Sequence, residues 1–159
     1  MRRPYQSNQL GALLIALLLA TVLQILPLQQ QLSFWRPQFV LLVLTFFLLY
    51  RPLDYGVATA WLIGLMLDFV FGGVVGRYAL ALGVCAYLIN LLAKRLLHAH
   101  IWHQCGVVFL LVAASQLIVA SVNLLTHSNA SWSIIFLPAI SSALIWPLIY
   151  FLMFRWVRR

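Results

Sequence analysis

Residues 36–54 read RPQFVLLVLTFFLLYRPLD, a predominantly apolar run from Gln38 to Tyr50 closed at each end by an Arg-Pro pair. Proline fits the first turn of a helix and breaks its middle, so Arg36-Pro37 and Arg51-Pro52 mark the limits of one helix. Thirteen residues at 1.5 Å rise make only about 20 Å, short of a hydrocarbon core about 30 Å thick. This helix must recruit its flanks with both arginines snorkelling outward, or occupy a thinned bilayer or a protein-lined depression.

The rest of the chain supports a membrane reading. Of 159 residues, 65% are hydrophobic and 8% charged, with a mean hydropathy of +1.03; soluble domains run near half apolar and a quarter charged. Working outward from residues 38–50, five more spans are expected at 10–26, 55–71, 78–93, 104–125 and 134–154. The first follows Met1-Arg2-Arg3 but ends in Leu26-Pro27-Leu28-Gln29 with no small-x-small cleavage site, which predicts an uncleaved helix. A glycine-rich turn, Gly72 to Arg77, separates the third and fourth spans, and a basic loop from Lys94 to His103 separates the fourth and fifth. The expectation is an all-α integral membrane protein: one polytopic domain over residues 1–159, with six transmembrane helices and no internal repeat.

Charge then orients it. With the N-terminus inside, eight of the ten basic residues fall in cytoplasmic segments and only Arg36 and Arg77 outside, a positive-inside pattern that places both termini in the cytoplasm. Trp35, Trp102, Trp132 and Trp156 near the span ends match an aromatic belt. The bases lie between apolar runs and form no interleaved patch, which argues against nucleic acid. Cys85 and Cys105 belong to no extracellular cysteine framework, and no structural disulfide is expected.

The chain has two carboxylates, Asp54 and Asp68. Asp54, beside Arg51 in a short turn, reads as a solvated charge or helix cap. Asp68 lies fourteen residues into the third span, about 20 Å along it, where an ionisable group is costly unless paired or hydrated. Gly56, Ala60, Gly64 and Asp68 recur every four residues, forming a smooth ridge that ends in a carboxylate and suits close helix packing. Arg77 and Arg36 are the cations near that depth, so an Asp68–Arg pair stapling the second, third and fourth helices is expected; a proton or ligand site is the alternative. Asn90, Ser115, Gln116 and Asn123 read as interhelical packing contacts. His98, His100 and His103 have no nearby Cys, Asp or Glu to complete a metal site, and Trp146-Pro147 marks a kink in the last helix. The two acids are too far apart for acid/base catalysis, and no phosphate loop or nucleophile elbow exists. No enzyme, cofactor or metal is expected.

Phe34-Trp35-Arg36-Pro37 leading into a short apolar run, Gly64-x-x-x-Asp68 followed by Gly72-Gly73-x-x-Gly76, and the terminal Trp146-Pro147 with a basic tail together resemble the rod shape-determining MreD family. Phe71 departs from the small hydroxyl residue of many relatives. The resemblance implies a non-enzymatic component of the bacterial inner membrane, acting with MreC and through it MreB, RodA and the elongation transpeptidase in lateral peptidoglycan synthesis. It also implies a fold similar to the substrate-binding subunits of energy-coupling-factor transporters, and places the family's motif residues on Arg36, Pro37, Gly64, Asp68 and Gly72. Two functions stay open at this point: a module that binds partner transmembrane segments, or a substrate-capture subunit for a small molecule or lipid-linked precursor.

Overall fold

The computed structural model describes residues 7–26, 35–50, 56–72, 75–97, 99–125 and 133–157. Six helices account for nearly all of them: α1 (Ser7–Ile25), α2 (Phe39–Tyr50), α3 (Val57–Phe71), α4 (Arg77–Leu96), α5 (Ile101–Leu125) and α6 (Ser133–Val157). Three of these, α4, α5 and α6, are long and apolar enough to cross a membrane, whereas 13–25, 39–50 and 57–71 are shorter apolar helices.

The short helix α2 is the centre of the molecule. Every residue from Val40 to Leu49 is buried, as a helix apolar on all sides requires. It packs against α1, α4 and α6, while α3 packs on α4 and α5 lies against both α4 and α6. Protein thus surrounds this run. Its own Leu42 and Leu48 are fully enclosed, as are Ile89, Val112 and Trp146 from the helices around it. Lipid tails are as apolar as leucine, so in a bilayer such a core is held by close packing and interhelical hydrogen bonds.

Hydrogen bonds sort the helix ends into two opposite sets. At one end the Gln38 N–H donates to Ser142 Oγ at 3.0 Å, and Arg77 Nη1 donates to Asn123 Oδ1 at 3.4 Å. At the other, Tyr50 and Tyr150 hydroxyls meet at 2.5 Å, and Gln104 Nε2 donates to the Leu96 carbonyl at 3.0 Å. Successive helices therefore alternate in direction. Trp35 and Trp102 are exposed at these opposite ends; Trp132 lies outside the described residues.

The basic loop is shorter than the sequence suggested. Helix α4 runs on through Lys94 and Arg95 to Leu96, and α5 begins at Ile101. Ala93 and Leu96 are both buried, so the apolar face continues at i+3 past the first cation. Lys94 and Arg95 stand in the last turn of α4, where positive charge favours the helix dipole. In α6 the helix passes through both Pro138 and Pro147, and Trp146 is fully buried with its indole donating to Gln104 Oε1 at 3.4 Å.

Candidate functional site

Of the expected ridge Gly56-Ala60-Gly64-Asp68, the last three residues form the face that α3 turns to α4, and Gly56 stands just before the helix. Ala60 is completely buried. A Cβ at Gly64 would stand 2.4 Å from Ala79 Cα, 2.6 Å from the Tyr78 carbonyl oxygen and 2.7 Å from Ala79 N. Only a hydrogen fits there, and the neighbour is backbone, which cannot rotate aside. Gly64 therefore serves a contact within the chain. At Gly56, the extended N-cap of α3, the same construction meets nothing within 4 Å.

The close approach delivers Asp68 to the first turn of α4. Its carboxylate is 2% exposed and accepts three backbone N–H bonds: Gly76 and Ala79 to Oδ2 at 2.9 and 3.2 Å, and Tyr78 to Oδ1 at 3.0 Å. These groups have no partner within their own helix, and the positive end of the helix dipole favours an anion there. Asp68 is thus an N-cap donated by the preceding helix. The turn needs Gly72 at φ +68° and Gly76 at φ +105°, conformations that residues with a Cβ rarely adopt.

The expected Asp68–Arg pair is replaced by these amides. Arg77 instead donates to the Gly72 carbonyl at 3.2 Å and to Asn123 Oδ1, and its guanidinium lies 4.8 Å from the Tyr78 ring centroid. Arg36 donates to the carbonyls of Gln24 and Leu26 at the end of α1. Arginine is suited to this work because its planar fork reaches two acceptors at once.

The same exchange therefore occurs in two hairpins. In α3–α4, Asp68 caps the start of α4 and Arg77 caps the end of α3. In α1–α2, Gln24 Oε1 accepts the Phe39 N–H at 3.1 Å, at the start of α2, and Arg36 covers the end of α1. Buried Pro37 stands just before α2. Beside it Gln38 Oε1 accepts from Ser115 Oγ at 2.7 Å, and the Gln38 N–H reaches Ser142. These bonds tie α2 to α5 and α6. Sequence reasoning missed Gln24, Gln38 and Ser142; the available signal was an amide or hydroxyl in an apolar run next to a helix boundary.

Between the two hairpins lies a cavity of about 20 Å³ lined in part by Gln24, Gln38, Phe71 and Tyr78, enough for one water molecule. Ser115 and Asn123 make the interhelical contacts expected of them; Asn90 Oδ1 is buried with no hydrogen-bond partner among the described residues. No group of three or more His, Cys, Asp or Glu side chains is placed to hold a metal among the described residues. Asp54 and His98 lie outside them. Cys85 and Cys105 are free thiols.

The chain is similar to known proteins over the same region. A family model described as rod shape-determining protein MreD matches residues 6–155. The rod shape-determining protein MreD of Haemophilus influenzae is 30% identical over 142 residues, covering 89% of this chain and 86% of that protein. No solved structure matches the chain. The family match takes in both capped hairpins and all three long apolar helices, and the chain belongs to the MreD family of rod shape-determining membrane proteins.

Proposed function

We propose that this chain is a six-span, inner-membrane scaffold of the bacterial elongation machinery, with both termini in the cytoplasm, that holds partner transmembrane segments against its outer helix faces. One observation carries the reading. The polar side chains at the paired helix ends are used in internal caps, while α1 and α3 expose continuous apolar surface, including Leu14, Leu18, Leu19 and Val22 on α1 and Leu62, Met66 and Phe69 on α3. A molecule with its polar groups so engaged recognises others mainly through helix faces. Arg36, Pro37, Gly56, Ala60, Gly64, Asp68, Gly72 and Arg77 act in this reading by building the block that presents those faces.

The partners follow from the family resemblance: MreC, and through it MreB, RodA and the elongation transpeptidase, with an effect on lateral peptidoglycan synthesis and no catalytic step of its own. A fold like that of energy-coupling-factor substrate-binding subunits is carried forward from the resemblance alone. The substrate-capture alternative draws less support, because the cavity between the two hairpins, lined by Gln24, Gln38, Leu67, Phe71 and Tyr78 among others, is the size of a water molecule and the Asp68 carboxylate is already engaged by three amides.

The test is extraction of the tagged native protein in mild detergent, with Asp68→Asn alongside, and mass spectrometry of what is retained. Retention of MreC and the cell-wall synthases by the native chain, weakened in the variant, is expected. Retention of an ATPase pair or a bound small molecule, without cell-wall proteins, overturns the reading.

A further inference from the structure

The small cavity between the hairpins takes lining from both of them: Gln24 of α1, Gln38 just before α2, Phe71 of α3 and Tyr78 of α4. Among its apolar walls are Leu41, Leu67 and Leu82, all buried. It stands where one hairpin meets the other, and its volume of about 20 Å³ is that of a single water molecule.

The polar groups that line it have hydrogen-bonding capacity the protein does not use. A carboxamide carries two N–H donors and a phenol one O–H. Gln24 accepts from the Phe39 N–H and Gln38 from Ser115, each through Oε1. Neither side-chain NH2 group, nor the Tyr78 hydroxyl, has a hydrogen-bond partner among the described residues. Ser115 leaves a complementary deficit. Its Oγ lies 2.7 Å from both Gln38 Oε1 and the Val112 carbonyl, and a hydroxyl has one hydrogen to give. When that hydrogen serves Val112, Gln38 Oε1 lacks a donor.

We infer that this cavity binds one water molecule that links the two hairpins, accepting from the Gln24 carboxamide and the Tyr78 hydroxyl and donating to Gln38 Oε1. Three bonds are the usual number for a buried water, and a polar cavity of this size is wetted where an apolar one stays dry. A neutral ligand fits better than an ion. Asp68 already holds a carboxylate against the backbone N–H of Tyr78, which disfavours an anion, and the side-chain NH2 groups turn away a cation. The water and the scaffold reading stand independently of each other.

The experiment is X-ray hydroxyl-radical footprinting of the full chain, in detergent and heavy-oxygen water, read residue by residue by mass spectrometry. A bound water becomes a radical in place and oxidises the side chains around it, however well buried. Label is expected on Leu41, Leu67 and Leu82 and not on Leu42, Leu44 and Leu48, which are also buried but do not line the cavity. Tyr78→Phe keeps the ring beside Phe71 and removes one of the three bonds, so the label on the three lining leucines should fall and the melting temperature with it. A dry cavity predicts otherwise, since deleting a hydroxyl that has no partner leaves stability unchanged or raised. Lining leucines without label in the native chain, equal label on the two sets of leucines, or a Tyr78→Phe protein with native label and melting temperature overturns the proposal. So does a native melting temperature higher in sodium chloride than in sodium gluconate at equal concentration, which would assign the site to an anion.

Discussion

Replacing Gly64 by alanine adds one methyl group and should cost far more than a methyl normally does. Its Cβ would sit 2.4 Å from Ala79 Cα, where ordinary contact begins at 3.4 Å, so α3 and α4 must part by about 1 Å at this level. One turn along, the Asp68 bonds of 2.9 to 3.2 Å would stretch toward 4 Å and cease to be hydrogen bonds. Alanine favours a helix over glycine by about 1 kcal/mol. Against that stand about 1–3 kcal/mol for overpacking and about 1.5–3 kcal/mol for each charge-assisted bond lost. With one or two bonds lost the balance is a destabilisation of about 1.5–8 kcal/mol. The assay is thermal unfolding of the purified protein in detergent, followed by tryptophan emission and by survival of the monodisperse peak after heating. A marked fall in melting temperature is expected, together with a non-additive response when Gly64→Ala is combined with Asp68→Asn, because the first change already withdraws the amides that the second addresses. A Gly64→Ala protein as stable as the native chain, or more so, would refute the close approach and the argument built on it.

Other perturbations probe separate parts of the structure. Asp68→Asn keeps the shape but leaves one acceptor oxygen where there were two, so a loss of about 2–4 kcal/mol is expected in the same melts; native-like stability would mean that the charge is not what caps α4. Arg36→Lys exchanges a two-pronged donor for a single point and should cost about 1 kcal/mol, with faster amide exchange at the end of α1 as the specific readout. Tyr50→Phe removes the hydroxyl contact with Tyr150 and should lower stability by about 0.6 kcal/mol, the usual worth of one interhelical bond in a membrane; peptide-level hydrogen exchange should localise the change to the ends of α2 and α6. A membrane-permeant maleimide should modify half-buried Cys105 well before Cys85, which is enclosed with its thiol donating to the Leu111 carbonyl at 3.4 Å; mass spectrometry of the peptides gives the order directly.

Much of this architecture was legible from residue pattern alone. The Arg-Pro brackets located α2, and the four-residue spacing from Gly56 to Asp68 announced a helix face meant for close packing. The partner of Asp68 was not legible, because reasoning from charges looks for a cation and overlooks amides that exist only once a helix has begun nearby. Arg77 stands near Asp68, yet its donors go to the Gly72 carbonyl at the end of α3 and to Asn123 on α5. Gln24 and Gln38 were invisible for a related reason: their value lies in standing next to another helix's first turn, which no single-helix periodicity records. The boundary at Lys94 was set too early because a cation reads as a loop, although Leu96 continues the buried face.

The exchange of caps within α1–α2 and again within α3–α4 bears on how the chain is built during synthesis. A lone helix emerging into lipid carries bare amides at one end and bare carbonyls at the other, and no water is there to meet them. Each of these hairpins meets part of these groups on its paired ends from its own side chains, although the Gln38 N–H at the start of α2 waits for Ser142 of α6. If each hairpin enters the bilayer as a pair, it does so with part of its end groups already met. A chain severed between α2 and α3 should then reassemble from two co-expressed fragments, whereas a cut between α3 and α4, which separates Asp68 from the amides it serves, should yield fragments that are degraded.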